Sequence, residues 1–99
     1  MQIQLIIKGA FFDQIAAGTK TKEYRAMSNR NLSLFFDGLK TEAPFFKPIT
    51  SVLFWHGYEK GRRGMVVAVE DLDVEQAEDD FWDIVVSLGD ILEKRNFHT

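Results

Sequence analysis

Gly18-Thr19-Lys20-Thr21-Lys22-Glu23-Tyr24-Arg25 is the stretch on which the reading of this chain turns. Before it, Phe11, Phe12, Ile15 and Ala16 recur at helical spacing, which predicts a short helix over Phe11 to Ala17. Gly18 stands where that helix should stop, because glycine enters the left-handed region without a Cβ clash. Beyond it, threonines, a tyrosine and alternating charges suit a strand leaving a turn. In an extended Thr21–Arg25 segment, Thr21, Glu23 and Arg25 share one face and Lys22 and Tyr24 the other. Lys20 lies in the turn itself. Charges of both signs therefore crowd the mouth of a turn whose glycine lets a ligand approach the backbone.

Working outward, Ile3, Leu5 and Ile7 alternate with mostly polar neighbours, so Gln2 to Lys8 reads as a strand. Ser28 or Asn29 can cap a second helix, followed by Leu32, Phe35, Phe36 and Leu39 at helical spacing. Pro44 and Pro48 bracket Phe45-Phe46, a connection with apolar anchors. Ile49 to Trp55 is rich in β-branched and aromatic residues. With the polar turn His56 to Gly64 and the segment Met65 to Leu72, it reads as a long-looped hairpin. Asp71 to Asp80 is expected to be an acidic connection with a helical turn. From Phe81 to Leu92 the apolar spacing fits a helix and also fits a strand buried on both faces, with Gly89 as a breaker.

These residues carry a resemblance. A lead strand, a short helix and then Gly-x-Lys-Thr-x-Glu-x-Arg over residues 18–25 resembles the ASCH domain of the PUA-like superfamily. Val52 to Tyr58 is similar to the strand and Gly-Tyr turn that follow in that family, and Ser87 to Leu92 resembles its closing strand. The resemblance spans most of the chain, outside Met27 to Lys47 and Asp71 to Asp80. It implies an α+β fold, a small PUA-like mixed β-barrel with two or three short helices, and it assigns the Phe81–Leu92 region to a strand. It also implies RNA, a nucleotide or a modified nucleoside as partner. In the ASCH-like acetylcytidine amidohydrolases, the motif lysine and the arginine five residues later belong to the active site, positions held here by Lys20 and Arg25. Those enzymes carry a threonine where this chain has Glu23. They also use a later glutamate, for which Glu70, Glu75 and Glu78 stand in the right region. The chain thus matches the broad family motif more closely than the amidohydrolase branch.

With 99 residues, the chain reads as one domain, 1–99, able to form a core without a metal or disulfide. A hydrophobic fraction of 45% with nine phenylalanines argues for a packed globule. The absence of cysteine excludes disulfides, thiolate nucleophiles and zinc–sulfur sites. The first eight residues lack a basic region and a small-residue cleavage pattern, and no apolar run approaches the roughly 20 residues of a membrane span. The expectation is a cytoplasmic protein without membrane contact. The charge is polarised: residues 1–65 carry a net +5 and residues 66–99 a net −8. Such an asymmetry points the basic part toward anionic partners. The overall −3 argues against strong non-specific binding to long nucleic acid, which needs many phosphate contacts.

Within this frame Lys20, beside Arg25, is a candidate base or nucleophile, the plain alternative being an exposed lysine that holds a phosphate. Glu23 and Arg25, two apart on one strand face, form either a bracing ion pair or a reader in which Glu23 accepts from a base edge and Arg25 holds an oxygen. Lys20, Glu23 and Arg25 are thus the candidate catalytic set of a hydrolase. Thr21, Lys22, Lys60, Arg62 and Arg63 add polar and cationic groups for binding. Tyr24, Trp55, His56 and Tyr58 offer stacking surfaces, as single-stranded RNA readers do, with Trp55 the one expected in the core. His56 is also a candidate acid or base. With His98 the only other histidine, a two-histidine metal site is not expected. No phosphate-binding loop, dinucleotide fingerprint or serine elbow occurs, so no cofactor is expected. The acidic last third offers a different use, as a protein-binding surface.

Overall fold

The computed structural model describes residues 1–97. The fold is α+β, a mixed five-stranded sheet with two helices and a small two-stranded ribbon. Strand β1 (Gln2–Ile7) buries Ile3, Leu5 and Ile7 and leads into helix α1 (Gly9–Ala16). Phe12 and Ile15, three apart, are the buried face of α1. Phe11, expected on that face, is 44% exposed. Gly18 ends the helix with φ +78°, and its N–H donates to the Ile15 carbonyl at 3.0 Å. This is the left-handed stop that the sequence calls for.

Strand β2 (Lys22–Ala26) follows, with Glu23 buried, Arg25 half-buried, and Lys22 and Tyr24 exposed. Helix α2 (Asn29–Phe35) is capped by Ser28, whose Oγ accepts from the Asn31 N–H at 3.1 Å. It is shorter than its apolar spacing predicts. Phe36 leaves the helix into β3 (Phe36–Asp37), which pairs with β4 (Phe45–Phe46), and the Phe36 and Phe46 rings stack at 4.4 Å. Stacking across this ribbon serves Phe36 better than another helical turn, and Leu39 is left 45% exposed.

The rest of the chain builds the sheet from β5 (Ser51–His56), β6 (Gly64–Gln76) and β7 (Trp82–Arg95). The order is β1-β5-β6-β7-β2, with β1 parallel to β5 and the other pairs antiparallel. Two expectations change here, the acidic connection and Gly89 as a breaker. Asp71 to Asp80 is not a connection with a helical turn, because β6 continues to Gln76 and a tight turn over residues 77–81 carries the chain into β7. The acids in this stretch alternate with Leu72 and Val74, and the alternation outweighs the charge. From Trp82 onward the Phe81–Leu92 region is strand, as the resemblance implies. Gly89 does not break it, and register shifts nearby mark an irregular, bulged ladder. A Cβ at Gly89 would lie 2.9 Å from Glu70 Cγ, so the neighbouring strand occupies that space.

Val52, Phe54, Met65, Val67, Ile84 and Val86 join the β1 and α1 side chains in one core. The two edge strands of the sheet are β1 and β2, far apart in strand order. The sheet curls enough that Arg25 of β2 donates from Nη2 to the Ile6 carbonyl of β1 at 3.1 Å. A side chain thus bridges the two edges, and no backbone ladder joins them among the described residues. Also among the described residues, no helix is long and apolar enough to cross a membrane.

Candidate functional site

The Arg25–Ile6 bridge divides two adjoining hollows. The first, about 370 Å³, is walled by Gln4 and Ile6 of β1, Arg25, residues of α2 including Arg30 and Asn31, Trp55 of β5, and Tyr58 and Arg62 of the following loop. The second, about 400 Å³, lies between Lys8, Phe11, Glu23, Tyr24 and Arg25. Ile6, Arg25 and Asn31 line both, so they form one groove along the seam where the sheet edges meet.

Local structure explains each wall. Strand parity turns Gln4 and Ile6 away from the core that holds Ile3, Leu5 and Ile7. The same parity turns Trp55 outward, where its indole N–H donates to Gln4 Oε1 at 3.0 Å. Gly64 faces Trp55 across the ladder, and a Cβ there would come within 2.7 Å of the indole. The Arg62 guanidinium lies 4.6 Å over the Trp55 ring and donates to the Gly57 carbonyl at 2.7 Å. Tyr58 is 81% exposed and projects from this loop. On the other wall, Asn31 donates from Nδ2 to the Ala26 carbonyl at 2.9 Å, which holds the start of α2 against the end of β2. At the rim, Arg95 lies 6.0 Å from the Trp55 ring, and its side-chain hydrogen bond to Glu93 holds that carboxyl below its ordinary value.

At the centre, Glu23 is a buried carboxylate. Its Oε1 accepts from the Tyr24 N–H at 3.1 Å, while Oε2 has no hydrogen-bond partner among the described residues and lies 3.7 Å from Arg25 Nη2. A buried carboxylate oxygen with unused lone pairs is costly, and a hydrogen-bond donor entering the hollow would relieve that cost. The ion pair is present, and one carboxylate oxygen remains free to accept.

The sequence-derived candidates separate into groups. Arg25, Tyr58 and Arg62 line one hollow, and Glu23 with Arg25 lines the adjoining one. Lys20 does not join Arg25 and Tyr58 in a single pocket. It lines a separate shallow depression with Thr21, Gly18 and Gly89, and its ammonium rests 5.1 Å from the Phe11 ring and 5.9 Å from the Tyr24 ring. Phe11 and Tyr24 are walls of the Glu23 hollow, so Lys20 stands at its outer margin. The Thr21 carbonyl accepts from the Leu88 N–H at 2.8 Å. Lys22 and Lys60 are exposed.

His56 and Arg63 lie on the α1 side of the sheet. His56 stacks on Phe12 at 5.4 Å, and Arg63 reaches His56 Nδ1 at 3.2 Å and Asp13 at 2.7 Å. Arg63 also lies 4.9 Å over Phe12. These contacts tie the loop to α1. His98 falls outside the described residues, and among those residues no group of three or more His, Asp or Glu is placed to hold a metal.

Sequence reasoning missed Gln4, Arg30 and Asn31 as groove walls and placed Trp55 in the core. The signal for Gln4 was present in the alternation of β1, whose polar positions define a face. Arg30 and Asn31 needed the packing of α2 beside β2, which no local pattern specifies. Comparison with family models, with characterised proteins and with solved structures gives no match.

Proposed function

We propose that this chain is a binding domain for a nucleotide, a modified nucleoside or a short single-stranded RNA segment, held in the seam groove around Arg25. The observation that carries the reading is the convergence of Arg25, Arg30, Arg62, Trp55 and Tyr58 on one hollow of about 370 Å³. Guanidinium groups there can hold phosphate, and the exposed Tyr58 ring offers a stacking surface. The free Glu23 oxygen supplies an acceptor for a ring N–H or exocyclic amine, so the base points toward Glu23 and the phosphates toward Arg30 and Arg62. The curled sheet, its β1 and β2 edges bridged by Arg25, agrees with the PUA-like barrel that the motif order over residues 18–25, 52–58 and 87–92 implies. On this reading the chain is an ASCH-like domain whose groove is the open seam of that barrel.

The competing reading is a hydrolase in the same cleft, acting on acetylcytidine-like nucleosides or on RNA with Lys20 as base or nucleophile. Lys20 lies against Phe11 and Tyr24 at the outer margin of the Glu23 hollow and lines neither of the hollows that Arg25 lines. That separation favours binding over turnover. A panel of nucleosides, nucleotides and short RNAs, assayed for both affinity and product, tests the choice. Saturable binding without product is expected, and turnover that falls roughly a hundredfold in Lys20→Ala would establish the hydrolase instead. Glu23→Gln extends the test to the base. Loss of a charged acceptor should weaken the preferred base by about 1–3 kcal/mol, whereas an unchanged base preference with a lower melting temperature would leave Glu23 a bracing residue only.

A further inference from the structure

The core-facing side of the β6–β7 hairpin runs on past the core. Strand parity places Trp82 on the same face as Ile84 and Val86, which are fully buried, yet Trp82 is 50% exposed. Phe81 beside it is 71% exposed. With Ala77, Met27 and Leu32, these side chains floor an open groove of about 870 Å³ between the hairpin tip and the start of α2. Adjacent exposed aromatics on a small protein mark an interaction surface.

Asp79, Asp80 and Asp83 also line this groove. No Lys or Arg occurs between Arg63 and Lys94, while eight acids fall between Glu70 and Asp83. The ion pairs of the described residues involve Arg25, Arg63 and Arg95, none with these three carboxylates. Their charge is therefore not neutralised by an ion pair among those residues. The tip is also pinned. The Ala77 N–H donates to the Phe81 carbonyl at 2.6 Å, the Asp80 N–H to the Ala77 carbonyl at 3.2 Å, and Gln76 Nε2 to Asp80 Oδ1 at 3.4 Å. A surface held in this way loses little freedom when it is covered.

We propose that this groove docks a segment of a partner protein in which an apolar side chain is flanked by Lys or Arg. The apolar residue covers Phe81, Trp82, Met27 and Leu32, and the flanking cations meet Asp79, Asp80 and Asp83. Charge complementarity selects this occupant. Nucleic acid or an anionic membrane would bring phosphates against three carboxylates. A second copy docking through the same face about a two-fold axis would set those carboxylates against their own counterparts. Lys or Arg placed over the exposed rings adds cation–π attraction to the ion pairing. This groove shares only Ser28 with the hollow of Arg25 and Tyr58, so the two surfaces can be tested separately.

The test is isothermal titration of the whole chain with short capped peptides in which Leu, Met, Phe or Trp is flanked on both sides by Lys and Arg. Two controls are used, one with the apolar residue replaced by Ala and one with the cations replaced by Glu. At least one cationic peptide should bind saturably, and both controls should bind at least about tenfold more weakly. Phe81→Ser and the combined Asp79→Asn, Asp80→Asn, Asp83→Asn variant should each weaken binding by about tenfold or more. Both variants should fold, because Phe81 is mostly exposed and asparagine tolerates the φ of +66° at Asp80. The proposal is overturned if no cationic peptide binds at millimolar concentration, or if the alanine control binds equally. It is equally overturned if both variants bind like the parent. Concentration-dependent self-association abolished by Phe81→Ser would overturn it in favour of a second copy.

Discussion

The seam groove and the hairpin-tip groove flank the same short helix, α2, and present opposite chemistry. One side offers Arg25, Arg30 and Arg62 with Trp55 and Tyr58; the other offers Asp79, Asp80 and Asp83 with Phe81 and Trp82. In the seam, most polar groups are already engaged. Arg25 is bonded to Ile6, Trp55 to Gln4, Arg62 to Gly57 and Asn31 to Ala26. At the tip, the aromatics are open and the acids form no ion pair among the described residues. Both surfaces are held, but by different means. The seam is pre-organised by bonds between distant strands, whereas the tip is one hairpin projecting beyond its core.

Removing Arg25 should break the comparison most severely, because the seam depends on it and the tip does not. Arg25→Ala loses the bridge to Ile6 and leaves Glu23 buried without its cation. A fully buried pair broken this way costs more, but the Arg25 side chain is 23% exposed, so a loss of about 2–3 kcal/mol is expected. Chemical denaturation measures it. Adding Glu23→Gln to the same chain should recover part of the loss, since the stranded charge is gone. A purely additive double variant would show that the two residues do not act on each other.

A smaller effect is expected from Gly64→Ala, which perturbs the seam through packing alone. The new Cβ would lie 2.7 Å from Trp55 Cζ3 and must push the indole away from Gln4 or from Arg62. Overpacking of this kind should cost about 1–3 kcal/mol and alter indole fluorescence. Peptide binding at the tip should be unchanged.

Arg62 and Arg63 sharpen the comparison further, being neighbours in sequence that point to opposite sides of the sheet. Arg62→Gln should weaken nucleotide or RNA binding and flatten its salt dependence by about one unit, with little effect on melting. Arg63→Gln should do the reverse. It should cost about 1 kcal/mol of stability through Asp13 and Phe12 and leave affinity unchanged. Equal losses of affinity in both would show that the loop acts only as a diffuse positive patch.

That split was not legible in the sequence, where Lys60, Arg62 and Arg63 read as one basic loop. Parity was legible wherever a strand was correctly recognised. Glu23 and Arg25 face inward together, and Lys22 and Tyr24 face out, as the period of two requires. Gly18 marked the helix end because a positive φ leaves few other residues. Between Asp71 and Gln76 the reading failed, because a strand edge rich in Asp and Glu resembles a connection in composition, even though such charges are how an exposed β edge resists further pairing. The end of α2 failed for another reason. Phe36 fits the helical period but gains more by stacking on Phe46, a contact ten residues away that no local pattern announces. The seam itself joins the first strand to the third element of the chain through one side chain, and its walls come from four separate segments.

We propose that the seam around Arg25, and not the acidic tip, receives a nucleotide or short RNA. It is tested most directly by titrating the isotopically labelled chain with a short single-stranded RNA and following backbone and side-chain resonances. Saturable shifts are expected at Gln4, Ile6, Glu23, Arg25, Asn31, Trp55, Tyr58 and Arg62, with Ala77 to Asp83 unmoved. Shifts centred on the tip, or a ligand that leaves Arg25 and Tyr58 unmoved, would contradict it.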